Sequence, residues 1–281
     1  MALLLNGSMG TDGAGGMVRS VASAVRQALF GKTFVFGIVG VMAVLSLASV
    51  RQIVDAFRQV ADAAGSSGLL AGGFHHHLMM EALSSEAMTM ALPILAALPF
   101  TSAVVDDIKS GFVKEYLPRT TLTGYWVGRA VACVLSGGLT LVLGMLAAYI
   151  AAALLFTPME AAPQTAFPDG AELAVYMAQL GEKGLLLFCS GGLWAMVGML
   201  FAALTESRYM AYASPFVFYY VLIILYERYF DKLFILYPKE WVAPSGQWEF
   251  GSIGAALFVA ELTAIAALCF GKVVQKRLVQ I

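Results

Sequence analysis

The sequence predicts an all-α integral membrane protein with six membrane-crossing helices, and three observations carry that prediction. Of the 281 residues, 60% are hydrophobic and 12% charged, about half the charged share of an ordinary soluble domain; the mean hydropathy is +0.80. Charge-free windows of 18 to 30 residues recur along the chain, and a helix needs roughly 20 apolar residues to cross a hydrocarbon layer about 30 Å thick. Finally, the basic residues segregate onto alternate connections between those windows. The net charge of −1 leaves no basic face for a polyanion, which argues against a nucleic-acid partner.

The chain divides into a leader at 1–16 and a single transmembrane domain at 17–281. Asn6 to Gly16 is rich in glycine and serine, which suggests a flexible leader; Met1 to Gly16 has no basic flank and too short an apolar core for a secretory signal, and Met17 is a second candidate start. Val18, Val21, Val25 and Leu29 then repeat at helical spacing with Arg19 and Arg26 off that stripe. That pattern fits a helix lying on the membrane surface. The spans are expected at about 33–50, 87–105, 127–156, 184–205, 209–226 and 252–271, each helical because lipid tolerates no unpaired backbone. Pro215 is expected to break the fifth near its start.

Orientation follows from the basic residues. With six spans both termini share a side, which holds 11 of the 17 basic residues and five acidic ones, while the other side holds six basic and 12 acidic. Both termini are therefore expected in the cytoplasm.

Two connections stand out. Asp106 to Arg119 follows the second span on the expected cytoplasmic side, and Ile108, Phe112, Tyr116 and Leu117 form one helical stripe. Asp106 and Asp107 sit where negative charge suits a helix dipole, and Pro118 stops the helix. The stripe needs burial, against lipid or in a groove of another protein. Glu227 to Gly251 is aromatic and interrupted by Pro238, Pro244 and Gly246. It reads as a re-entrant hairpin dipping into the outer leaflet, or as a loop packed over the bundle.

Catalytic signals are weak. The chain has no phosphate-binding P-loop, no dinucleotide glycine fingerprint, no HExxH and no GxSxG. His77 and Glu81 share a helix face, but two donors fall short of the three or four a zinc site takes, and interfacial histidines are the better reading of His75 to His77. Cys133, Cys189 and Cys269 lie far apart in apolar runs and read as core residues. Glu261 is the one acidic residue deep in a span. Such a residue marks a pathway or glues helices together, and is expected to face the bundle. Gly137, Gly138, Gly144, Gly191, Gly192 and Gly198 offer close helix contacts.

Over nearly the whole chain from Met17 this pattern resembles the ABC-2 type permease family, the membrane subunits of bacterial ABC exporters. The most specific match is Asp106, Asp107 and Gly111 followed by Phe112-Val113-Lys114-Glu115-Tyr116-Leu117-Pro118-Arg119-Thr120, with Tyr125 opening the next span. Ser214-Pro215-Phe216 with Tyr219-Tyr220 adds to it, although aspartates stand where many members carry glutamate. The resemblance implies a coupling helix that docks on an ATPase, with Asp106, Asp107, Gly111, Phe112, Lys114, Tyr116, Leu117 and Arg119 as its residues. It also implies an outer re-entrant hairpin before the last span, a second copy or a homologous permease as partner, and a bacterial plasma membrane. ATP and magnesium would belong to a separate nucleotide-binding subunit, so the chain itself is expected to be a transporter subunit and not an enzyme. The competing expectation is an ATPase-independent membrane protein, either a secondary transporter or an intramembrane enzyme using Glu261 and the histidines. A secondary transporter usually carries repeats and several intramembrane charges, and one such charge is visible here.

Overall fold

The computed structural model describes residues 9–62, 69–70, 72–111, 121–160, 170–230 and 232–278. The described chain is helical: α1 (Met9–Leu29), α2 (Lys32–Asp62), α3 (Phe74–Ser84), α4 (Glu86–Ala97), α5 (Ala103–Lys109), α6 (Leu122–Phe156), α7 (Gly170–Thr205), α8 (Arg208–Tyr229) and α9 (Gly251–Leu278). One isolated bridge, Leu70 with Glu160, is the extended pairing among the described residues. Five helices are long and apolar enough to cross a bilayer, and the bent pair α3–α4 makes a sixth if it counts as one span. Large apolar side chains such as Phe36, Leu47, Leu154, Val217 and Leu268 point outward, a surface suited to hydrocarbon and ill suited to water.

The axis of the bundle is α7, whose most apolar stretch is 67% buried, against 28–33% for the other four long helices. Glycine makes this possible. A Cβ at Gly137 on α6 would stand 2.5 Å from Ala195 Cβ and 2.8 Å from the Gly191 carbonyl of α7. The two backbones therefore touch at Gly137 and Gly191, as the small residues in the spans suggested. On the far side of α7, Pro215 lies inside α8 without interrupting it, contrary to the expected break. A proline withholds the hydrogen bond from the carbonyl four residues back, here that of Ala211. Gly198 packs against that carbonyl, where a Cβ would stand only 2.5 Å away.

Several boundaries depart from the sequence reading. Residues 9–16 already belong to α1, where a flexible leader was expected. Helix α1 packs on α6, with Ala24 and Ala28 buried beside Tyr125 and Ala130. Instead of a continuous second span at 87–105, α4 has only 12 residues, about 18 Å at ~1.5 Å per residue. Ser85 separates it from α3 by accepting the Met88 N–H at 3.2 Å, and the two helices meet at a bend of 68°. Below Ala97 the chain turns at 98–102 before α5 begins, and Thr33 of α2 donates to the Pro99 carbonyl across that turn at 2.8 Å. Helix α7 starts well before 184, because Glu182 and Lys183 limit the charge-free window but not the helix.

The aromatic segment before α9 contains two short 3₁₀ turns, Phe234–Leu236 and Pro238–Trp241, in place of half-helices. It packs onto the bundle, the alternative reading of that loop. Trp241 is buried, stacks on Trp194 with ring centres 5.8 Å apart, and donates to the Ile235 carbonyl at 2.9 Å.

The glycine crossing generates a prediction. Gly137→Val must move backbone or Ala195, and overpacking of this kind costs about 1–3 kcal/mol. Gly181→Ala has open space around its new Cβ and improves helix propensity. Thermal unfolding in detergent should show a clear loss for the first variant and an equal or higher midpoint for the second. Equal midpoints for Gly137→Val and the parent would remove the crossing as the packing constraint.

Candidate functional site

Six chain segments converge at one end of the bundle: α1, the short α5, the start of α6, the end of α7, the start of α8 and the end of α9. A polar node joins them. Thr121 starts α6 by accepting the Gly124 N–H at 3.1 Å, which places Tyr125 and Arg129 one turn apart on the same face. On α5, the successive Asp106 and Asp107 point about 100° apart, so one faces inward and the other toward α8.

Asp107 meets Arg129. The Arg129 Nη2 lies 2.6 Å from Asp107 Oδ2, with side chains only 6% and 10% exposed. Arg129 also donates to Gln27 of α1 at 2.7 Å, and Tyr125 donates its hydroxyl to Asp107 at 2.8 Å. The guanidinium sits over the rings of Phe100 and Tyr125, 5.3 and 5.8 Å from their centres, a favourable place for a cation. Ser20 of α1 donates to the Gly124 carbonyl at 3.2 Å. Burial pushes the Asp107 carboxyl above its ordinary value, and the Arg129 charge with the Tyr125 and Arg129 hydrogen bonds pulls the other way.

The outer layer is wetter. Asp106 accepts from Arg208 Nε at 2.5 Å, with side chains 43% and 62% exposed. A pair so exposed is worth at most about 1 kcal/mol. Tyr212 donates to Ser102 at 3.3 Å. Arg277 near the end of α9 holds Glu206 and the Leu204 carbonyl, joining the last turn of α7 to α9. A cavity of about 520 Å³, lined by Lys109, Glu206, Ser207, Arg208, Tyr209 and Tyr212, opens beside the end of α5.

The expected coupling residues divide accordingly. Asp106, Asp107 and Gly111 are described: Asp106 stands in the first turn of α5 and pairs with Arg208, and Asp107 pairs with Arg129. Helix α5 begins at Ala103 and ends at Lys109, not at Leu117. Gly111 adopts φ +74°, the left-handed conformation with which helices commonly terminate. Phe112, Lys114, Tyr116, Leu117 and Arg119 lie outside the described residues. The sequence reading missed Gln27, Phe100, Tyr125 as an acid partner, and Arg129 as anything but a loop cation. The available signal was an arginine inside a helix otherwise bound for the membrane.

Glu261 requires a correction. It lies on the exposed face of α9 and not toward the bundle interior. The histidines sit at the opposite end of the bundle in a clip between connections. Glu160 accepts the Gly73 N–H at 3.0 Å, the His75 N–H at 2.9 Å and a ring contact from His75 Nδ1 at 2.7 Å. Its carboxylate thereby caps α3, whose N-cap residue is a glycine without a side chain to do so. Burial alone would raise the Glu160 carboxyl, but the His75 and Gly73 hydrogen bonds and the His75 charge hold it below its ordinary value. His76 stacks on Tyr176 with ring centres 4.1 Å apart and meets Gln179 at 2.8 Å. No group of three or more His, Cys, Asp or Glu suited to a metal forms among the described residues.

No family model, curated protein or solved structure matches the chain.

Removing one partner of a buried ion pair strands the other charge, typically at about 3–5 kcal/mol. Asp107→Asn and Arg129→Met should each destabilise strongly, and the double variant should cost much less than their sum. Unfolding of the four proteins in detergent measures this, and additive losses would break the coupling. At the clip, the sign of the pH effect follows from a lowered folded-state value. The contribution of Glu160 is complete above the ordinary carboxylate value of 4.5, and it fades as pH falls through the lower folded value. Glu160→Gln should therefore lower the unfolding midpoint at pH 7 by the equivalent of about 1 kcal/mol, and the gap should narrow as pH falls below the ordinary carboxylate value. A gap that persists unchanged would show that the carboxylate charge is not what holds α3.

Proposed function

We propose that the chain is the transmembrane permease subunit of an ATP-driven exporter of the ABC-2 type. It works as a pair of copies, moves a substrate of the peptide, antibiotic or lipid-like kind out of a bacterial cell, and takes its energy from a separate ATPase subunit. That subunit holds the ATP and magnesium. In this reading the end of the bundle carrying α1 and α5 faces the cytoplasm, as the distribution of basic residues requires.

The observation that carries the reading is the buried Asp107–Arg129 pair. It stands on the two helices that flank residues 112–120, one anchor on α5 and the other on α6, and Gln27 adds α1 to the same node. A docked ATPase that acts on the α5 end of the bundle would therefore act on three helices at once. The cavity beside Lys109 leaves room at the same place for the partner's surface. Among the described residues the histidines serve the clip and Glu261 lies apart from them, so the groups named for the enzyme alternative do not come together.

Phe112 and Tyr116 would be the anchors, because aromatic residues in desolvated pockets dominate interface energetics. The permease, coexpressed with its cognate ATPase, should lose roughly thirtyfold in affinity on Phe112→Ala or Tyr116→Ala, the equivalent of about 2 kcal/mol. Co-purification and substrate-stimulated ATP hydrolysis read the effect; undiminished assembly and coupling in both variants would return that loop to lipid. Cysteine labelling in intact cells checks the orientation: position 169 should react from outside and position 115 should not.

A further inference from the structure

The cavity beside the end of α5 lies outside the buried node, and its lining has a charge to spare. Two long apolar helices end at its level: α7 stops at Thr205, α8 starts at Arg208, and Glu206 and Ser207 alone lie between them. The cavity therefore sits at headgroup depth and not in the hydrocarbon. In its wall Arg208 is balanced by Asp106, and Glu206 by Arg277. The exposed Lys109 makes no ion pair or hydrogen bond with a described residue, so one positive charge is left over in the described lining. Two hydroxyls are also uncommitted. Ser207 makes no side-chain cap to α8, and Tyr209 is 87% exposed, whereas the Tyr212 hydroxyl goes to Ser102. From Tyr209 an outward stripe runs down α8 through Ala213, Val217, Val221 and Ile224, all exposed and spaced by helical turns. Val217 lies about 12 Å beyond Tyr209 at ~1.5 Å per residue. The cavity and a hydrocarbon-facing stripe thus adjoin at Tyr209, a residue type suited to the boundary between water and lipid tails.

We propose that this cavity seats the headgroup of an anionic phospholipid, with its phosphodiester on Lys109, Ser207 and Tyr209 and an acyl chain along Val217 and Val221. Charge complementarity selects the occupant. A phosphodiester carries a single negative charge, and the lining offers a single uncompensated cation, a lysine, which binds phosphate as a point charge. A zwitterionic headgroup brings its own cation and gains less from Lys109. Free phosphate would meet the same donors, but a lipid alone also covers the apolar stripe below them. The inference adds to the exporter reading without resting on it: a headgroup seated there would belong to the surface that a docked partner meets.

The full-length chain, purified in detergent, is offered phosphatidylglycerol or phosphatidylcholine, and native mass spectrometry counts the lipid retained. The parent should hold phosphatidylglycerol about fivefold more tightly than phosphatidylcholine, the factor that one cation near a membrane surface supplies. Lys109→Gln should lose most of that preference. Tyr209→Phe, which keeps the ring, should weaken phosphatidylglycerol about threefold, and it reads the site independently of any folding defect at position 109. Lys272→Gln removes an exposed lysine near the end of α9, outside the described lining, and should match the parent. Phosphatidylglycerol should also raise the unfolding midpoint of the parent more than that of Lys109→Gln. Excess inorganic phosphate should leave the lipid in place; displacement of the lipid by it would make this a site for free phosphate and overturn the lipid as its occupant. Equal retention of the two lipids by the parent, an undiminished preference in Lys109→Gln, or an equal loss in Lys272→Gln would each overturn the site itself.

Discussion

Arg129 is charged, almost wholly buried, and set in a helix otherwise made for hydrocarbon. It is tolerable only with Asp107 opposite, Gln27 on a second side and two aromatic rings against its plane. That requirement fixes much else. Asp107 must come from a helix short enough to turn inward, so α5 is separate from α4. Gln27 must come from α1, so α1 packs along the start of α6. Helix α6 must begin early enough to carry Tyr125 and Arg129 on one face, which Thr121 arranges. A buried pair of this kind is weak support for stability, because its desolvation cost offsets its attraction. What the node does is tie α1, α5 and α6 to one another through Gln27, Asp107 and Arg129.

The rest of the bundle divides labour around this node. Backbone contact at Gly137 and Gly191 makes α7 the axis and leaves no slack between α6 and its neighbour. At the opposite end Glu160 ties the connection after α6 to the start of α3, and Trp241 plugs the aromatic loop against Trp194. Both ends of the long helices are thus fastened, one by a buried ion pair and the other by a capping carboxylate and stacked rings. Between them the described surface carries many large apolar side chains, and Glu261 stands among them on α9.

Much of the architecture is legible in the sequence because lipid imposes a simple composition rule. The positions of α2, α6, α8 and α9 follow from charge-free windows, and the glycines that touch could be named before their contacts were known. The broken second span was not legible, since the turn at 98–102 interrupts a charge-free run that continues to Val105. The start of α7 was hidden for the opposite reason: Glu182 and Lys183 end the apolar window within a helix that continues toward water. Of the residues expected to couple to an ATPase, Asp106, Asp107 and Gly111 are described, and the two aspartates enter ion pairs that the sequence reading did not anticipate. Ion pairing between separate helices leaves no periodic trace, so Arg129, Gln27 and Arg208 could not be matched to their acids. Glu261 was expected to face the bundle and lies on the exposed face of α9, because one acidic residue in an apolar run does not say which way the helix turns it.

The central proposal is that the Asp107–Arg129 pair couples a docked ATPase to the bundle. The most direct measurement pairs ATP hydrolysis with substrate transport in reconstituted vesicles, using the Asp107→Asn, Arg129→Met double variant assembled with its ATPase. The account predicts that assembly and basal hydrolysis survive while transport per ATP hydrolysed falls at least tenfold. Transport per ATP equal to that of the parent would contradict it.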